Sequence, residues 1–264
     1  MWTTNFPFSS NNNKILKEAL REDALEPGRE GYPVGALFAL KTAGLDEEGY
    51  PMFEGKDGKA VSAMEFFKLQ EWGFGATDLT ARERRELYTY VGTADCPYTG
   101  GFNNTFTYKA FELGVNFSFD FGGKVRSQPT YSIVDFDKGR NTNRDILNRW
   151  TPENTETIFP VLLSQNERLD EYMWYSNQNE IYRNLDIWIR DLNYVRLQNI
   201  RLGYTLPTNF SRKLGMTSAT IAIEGRNLLV FGSSYKNYLD PETMSNAYAT
   251  PAPKSVTLSL NLNF

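Results

Sequence analysis

Tyr172, Trp174, Tyr175, Tyr182 and Trp188 cluster in one polar stretch and are of the type that stacks on sugar rings. Of these, Trp174, Tyr175 and Trp188 are candidate surface contacts. Packing within a loop, or a belt at a membrane interface, is the other use of such side chains. Glu224 and Arg226 lie two residues apart in an extended pattern, so their opposite charges share one face. That suits a water-filled lumen or the solvated side of a sheet. Asp46, Glu47, Glu48, Glu54 and Asp57 are numerous enough to suggest calcium, but they lack the alternating ligand spacing of a calcium loop and read as a solvated acidic segment.

Composition removes much of the remaining chemistry. There is no histidine, which excludes imidazole triads, proton shuttles and His-based metal motifs. Cys96 is the single cysteine, so neither an internal disulfide nor a cysteine zinc cage can form. Carboxylate pairs of the glycosidase type could be drawn from the many acids, but nothing places two of them across a cleft. No catalytic residue, metal ligand or cofactor site is assigned. The net charge of -4 has both signs spread along the chain, which gives no basic stripe for nucleic acid.

The elements that would position these residues are mostly strands. In Lys254–Phe264, Val256, Leu258, Leu260, Leu262 and Phe264 alternate with Thr257, Ser259, Asn261 and Asn263, which gives one apolar and one wet face. Gly101–Gly122 reads as two strands with a tight turn near Lys109 and Ala110. In the second, Phe111, Leu113, Val115, Phe117, Phe119 and Phe121 face one way. Trp2–Phe8, Tyr32–Lys41 and Thr217–Phe231 are further strands. Tyr194–Leu206 changes phase, and a bulge near Gln198 and Asn199, or an upper half projecting beyond a membrane, would account for the slip. Ile15–Leu25 fits helix or strand. Capping-box spacing at Ser62/Glu65 and Thr80/Glu83 predicts helices over Ala63–Trp72 and Ala81–Tyr88. Thr142 and Asp145 can start a helix that Pro152 stops, and Thr208 can cap a turn closed at Gly215. Lys124–Asp186 is too long for an ordinary connection and reads as a functional loop or a disordered one. No apolar run is long enough for a transmembrane helix, and Met1–Lys14 shows no basic-then-apolar leader pattern.

Two architectures stay open on pattern alone: a soluble β-sandwich with its oily faces opposed, and a membrane barrel with its oily face on lipid. Four stretches add a resemblance. Tyr194-Val-Arg-Leu-Gln-Asn-Ile-Arg-Leu-Gly-Tyr-Thr-Leu-Pro207, followed by Lys213-Leu-Gly215, is similar to the family motif of SusC/RagA-type TonB-linked outer-membrane transporters. Arg149-Trp-Thr-Pro-Glu-Asn154, Gly225-Arg-Asn-Leu228 with Asp240-Pro-Glu242, and Gly100-Gly-Phe-Asn-Asn-Thr-Phe-Thr-Tyr-Lys109 agree in order and spacing. Lys254, where the family usually has arginine, and the lack of an arginine after Pro160 are departures.

The resemblance implies an all-β fold: the C-terminal portion of a TonB-dependent receptor β-barrel, with about six or seven strands of a presumed 22, long extracellular loops carrying short helices, and no plug within residues 1–264. It implies import of glycans or peptides, with a SusD-like lipoprotein as lid and energy from TonB. It also implies a lipid bilayer around the barrel, an outer-membrane location for the whole protein, and Phe264 as the terminal residue read by the outer-membrane assembly machinery. Tight turns at 109–111 and 207–216 would face the periplasm, and loops 123–193 and 229–253 the outside. The alternative function is a soluble β-rich carbohydrate-binding module.

Overall fold

The computed structural model describes residues 1–70, 77–127, 139–140, 144–162, 183–232, 240–243 and 249–264. The chain divides into two compact units: Met1–Asn12 with Asp95–Val125 and Arg190–Phe264, and Asn13–Ala94 with Arg126–Ile189.

The first unit is built on a seven-stranded sheet among the described residues. Its path runs β1 (Trp2–Asn5), β8 (Tyr98–Tyr108), β9 (Phe111–Arg126), β10 (Ile189–Thr205), β11 (Ser218–Phe231) and β12 (Ser255–Asn263), and β2 (Phe8–Ser10) also pairs with β8. Neighbouring strands run antiparallel wherever register is defined. Pro7 has no amide to donate, so it falls between β1 and β2 at the edge, while its carbonyl accepts from the Gly101 amide at 2.9 Å.

Turn chemistry fixes the hairpins. Tyr108 pairs with Phe111, leaving Lys109 and Ala110 as a two-residue turn in which Lys109 has a left-handed φ of 55°. β10 and β11 are joined through a short helix, α3 (Thr208–Lys213). Its capping position is Pro207 and no side chain caps it, so Thr208 is its first residue rather than the cap expected. Gly215 closes it at φ 76°, with the Met216 amide on the Ser211 carbonyl and the Gly215 amide on that of Arg212, both at 3.0 Å.

Cross-strand pairing puts the apolar residues in continuous rows. Leu202 opposes Ile223, which opposes Leu258, and Tyr204 opposes Ile221, which opposes Leu260. The rows are exposed: Leu258 is 75 % and Leu260 60 % accessible. On β8 and β9, Phe102 opposes Phe117 and Phe106 opposes Leu113, and Trp2 stacks on Phe106 at 5.7 Å. Gly100 is needed here, because a Cβ would sit 2.5 Å from both the Phe119 ring and the Pro7 carbonyl. The buried Asn104 side chain stays satisfied by accepting from Trp2 Nε1 at 3.1 Å and Thr4 Oγ1 at 2.9 Å. The runs 111–121 and 256–264 therefore lie in one sheet, with β10 and β11 between them and their apolar faces on the same side. They cannot close a sandwich, and the soluble alternative loses the core it requires.

The second unit has its own core: Leu40, Phe53, Phe67, Leu185 and Trp188, with Tyr50, Val61, Phe66, Phe159 and Ile187 packed on it. Around it stand β3 (Ala36–Leu40) paired with β7 (Tyr88–Thr93), a small sheet of β4 (Thr42–Leu45), β5 (Pro51–Glu54) and β6 (Ala60–Val61), and two helices. α1 (Ala63–Phe66) is shorter than predicted, ending before the left-handed Lys68 at φ 47°. α2 (Ala81–Glu86) carries the full Thr80/Glu83 capping box. Ile15–Leu25 is neither helix nor strand; Ile15 makes only an isolated bridge to Glu30. Where Thr142 and Asp145 predicted a helix, a short 3-10 helix forms, Arg144–Asn148, with Asp145 in its first turn; Thr142 lies outside the described residues. The described parts of Lys124–Asp186 are packed structure: Val161 and Leu162 lie on the core, and Trp150 donates its amide to the Phe159 carbonyl at 3.0 Å.

Candidate functional site: the polar face of the sheet

Opposite the apolar rows, the first unit presents a polar face. Glu112 accepts from Arg201 at 2.9 Å, Arg201 stands directly opposite Glu224 on the next strand, and Glu224 accepts from Arg226 at 2.6 Å. The four charges alternate in sign across β9, β10 and β11. Glu224 and Arg226 thus share the face opposite the exposed Ile221 and Ile223, as their spacing predicted. Arg226 is well exposed, so its pair contributes little to stability, about 0–1 kcal/mol.

Further along, β10 turns two successive side chains to this face. Gln198 donates to Ser118 Oγ at 2.7 Å and Asn199 accepts from Asn116 Nδ2 at 2.6 Å, while the pairing with β11 shifts register between Leu197 and Asn199. The irregularity falls where the phase change predicted it, but its extra residue lies on β11, which takes three steps from Arg226 to Leu229 against two on β10. Beyond it the even-numbered residues Tyr194 and Arg196 lie on the polar face, whereas below it the even-numbered Leu202 lies on the apolar one.

Arg196 is the centre of the site. Its side chain is 2 % exposed; Nη2 donates to Asp240 and Nε to Glu242 at 2.8 Å, and the guanidinium lies 5.8 Å over the Tyr194 ring. The Tyr194 hydroxyl donates to Asp120 at 2.5 Å and lies 3.1 Å from the same Glu242 oxygen. Asp240, 6 % exposed, also accepts the amides of Glu242 at 3.0 Å and Ala252 at 3.2 Å. Burial would raise the Asp240 carboxyl, but Arg196 and those amides outweigh it and hold the group below its ordinary value. The motif residues Tyr194, Arg196, Asp240 and Glu242 were legible in sequence, but their convergence was not, since 44 residues separate Arg196 from Asp240.

The remaining candidates divide. Trp188, expected at the surface, is fully buried in the second unit's core with its ring 5.9 Å from Phe159, so it offers no surface contact. Trp174 and Tyr175 lie outside the described residues. Phe264 ends the chain after β12 and is 85 % exposed. Among the described residues no group of acids and cysteine is placed to hold a metal ion. The second unit also has an apolar cavity of about 110 Å³ lined by Leu45, Pro51, Ile158, Pro160, Leu185 and Ile187.

No family model matches the chain. TonB-dependent receptor P3 of Formosa agariphila is 27% identical over 293 residues, covering 100% of this chain and 27% of the receptor. TonB-dependent receptor P39 of the same organism is 23% identical over 313 residues, covering 100% of this chain and 28% of the receptor. A solved structure of the RagAB peptide transporter superposes with a TM-score of 0.61 at 21% identity, over 90% of this chain and 23% of that one. The RagAB peptide importer in its closed-closed state gives 0.61 and 21%, over 100% and 27%. The chain spans about a quarter of the length of these relatives. The structural matches show a shared fold, and the curated relatives bear out the resemblance to SusC/RagA-type receptors carried by the motifs.

Proposed function

We propose that this chain, similar along its whole length to TonB-dependent receptors, forms the C-terminal part of the barrel of an outer-membrane nutrient importer. One observation carries the reading: a seven-stranded sheet with an exposed apolar face on one side and a charged, amide-rich face on the other. Lipid covers the first and a water-filled lumen the second. The order of the strands supports it, with tight connections at 109–110 and 206–217 alternating with long ones.

The outer edges of β1 and β12 carry no partner strand among the described residues. Each unpaired backbone group in hydrocarbon costs several kcal/mol, so the sheet acts only when further strands of the same barrel pair with both edges. The whole importer takes up glycans or peptides, receives energy from TonB and works with a SusD-like lipoprotein. RagAB, with which the fold is shared, is a peptide importer, which supports keeping peptides beside glycans. Phe264 completes the strand recognised by the assembly machinery, and Glu224 and Arg226 line the lumen. Trp174 and Tyr175 remain the contacts proposed for substrate or lid.

The first test is the behaviour of the purified chain with and without detergent. It should stay dispersed only in detergent or with lipid; a monodisperse monomer in plain buffer would refute the barrel reading. The second is uptake of labelled oligosaccharides and oligopeptides by cells with and without the gene. Loss of one class identifies the nutrient, and loss of neither removes the importer assignment.

A further inference from the structure

The two irregularities in β10 and β11 aim at the same piece of chain. On β10 the successive side chains Gln198 and Asn199 both bond polar partners on β9, so Arg196 lies on the polar face although Leu202, of the same parity, lies on the apolar one. On β11, Asn227 takes a left-handed φ of 53° and Leu228 folds back over Gly225, where a Cβ would lie 2.6 Å from it. Asn227 Nδ2 then donates to the Pro253 carbonyl at 3.3 Å. Arg196 holds Asp240 and Glu242, and Asp240 ties back to the Ala252 amide. Two described stretches of the β11–β12 connection are thus held by residues that flank one register shift.

We propose that Asp240–Thr243 with Ala252–Pro253 is a strap, clasped to the sheet by Arg196 and Asn227, whose own bonds through Asp240 come apart together when the Arg196 clasp is broken, while the sheet stays intact. The register shift leaves one residue of β11 out of the ladder, and beside it the buried Arg196 guanidinium makes two charge-assisted bonds to the strap. On the strap's side, bonds running through Asp240 occupy the amides of Glu242, Thr243 and Ala252. An open strap uncovers Arg196, Tyr194 and Asp120 together. The device belongs to the chain itself and holds whether or not the chain serves an importer.

Hydrogen exchange of the full chain in detergent tests it. Arg196→Met removes the charge and keeps the length; exchange at the Glu242 and Ala252 amides should rise at least tenfold, with the β8–β9 ladder unchanged. Asp240→Asn, a change outside the sheet, should do the same, which keeps the test open if the first variant does not fold. Arg196→Lys should lie between these and the native chain. Unchanged exchange at both strap amides in either variant would overturn the proposal, as would an equal rise along β8, β9 and β10, which would make Arg196 a support of the sheet instead.

Discussion

Replacing Trp188 with alanine separates a core role from a surface role by magnitude. The side chain is fully buried against Leu40, Phe53, Phe67 and Leu185, and Phe159 packs beside it. An aromatic side chain of this kind hides about 150–250 Å², which at about 25 cal/mol per Å² is worth about 4–6 kcal/mol. The neighbours belong to several short elements and can relax only in part, so the expected cost is about 3–5 kcal/mol. A surface tryptophan awaiting a ligand would cost under about 0.5 kcal/mol. The second unit supplies its own probes: the Leu40 amide bonds the Asn184 carbonyl at 2.8 Å, and the Ser127 amide bonds that of Trp188 at 2.9 Å. Their exchange in the full chain reports the opening of this core, and each 1.4 kcal/mol is a factor of ten. Trp188→Ala should speed exchange at both sites by about a hundredfold or more, to the ceiling set by complete opening. A change of less than about threefold at both would refute the burial argument and restore Trp188 as a surface residue.

Three further outcomes follow from the same geometry. Leu260→Arg should block assembly of the complete barrel or destabilise it by about 2–4 kcal/mol, the cost of a cation facing lipid near mid-bilayer, while Ser259→Arg on the opposite face should cost under about 1 kcal/mol; urea titration of membrane-inserted protein compares them, and equal costs would contradict the face assignment. Gly100→Val should displace the Phe119 ring and cost about 1–3 kcal/mol by overpacking in the same titration, with Phe119→Ala in the same chain recovering part of the loss. Asp240 has a lowered carboxyl value, so its share of the strap's stability is complete above its unfolded value of 3.8 and is lost as pH falls through the lower folded value. With Arg196, Glu242, Tyr194 and Asp120 facing the cluster, protection of the Ala252 amide, corrected for intrinsic exchange, should be flat from pH 7 to 5 and collapse only below about pH 4; collapse near pH 6 would point to a different titrating group.

Strand identity and facing were legible in the sequence because the side-chain period of two is a local property. Phe111–Phe121 and Val256–Phe264 announce their apolar faces residue by residue, and the parity change at Gln198 and Asn199 located a register shift, though not that its extra residue lies on β11. The Thr80/Glu83 capping box is equally local, since both of its bonds close within four residues. The structure alone decided what these elements meet. Residue types made Trp188 a plausible surface aromatic, but its burial depends on Leu40 and Phe53, more than a hundred positions away, and no local pattern encodes that distance. The short strands β4–β6 were missed for the same reason: two to four residues are too few for a period, and their pairing is stabilised by the core beneath them. Arg196 and Asp240 stood in recognised motifs, yet only the change of face along β10 and the folded β11–β12 connection bring the guanidinium to the carboxylate. Periodicity and capping are written into neighbouring residues, whereas burial and charge pairing are set by distant residues that only the folded chain brings together.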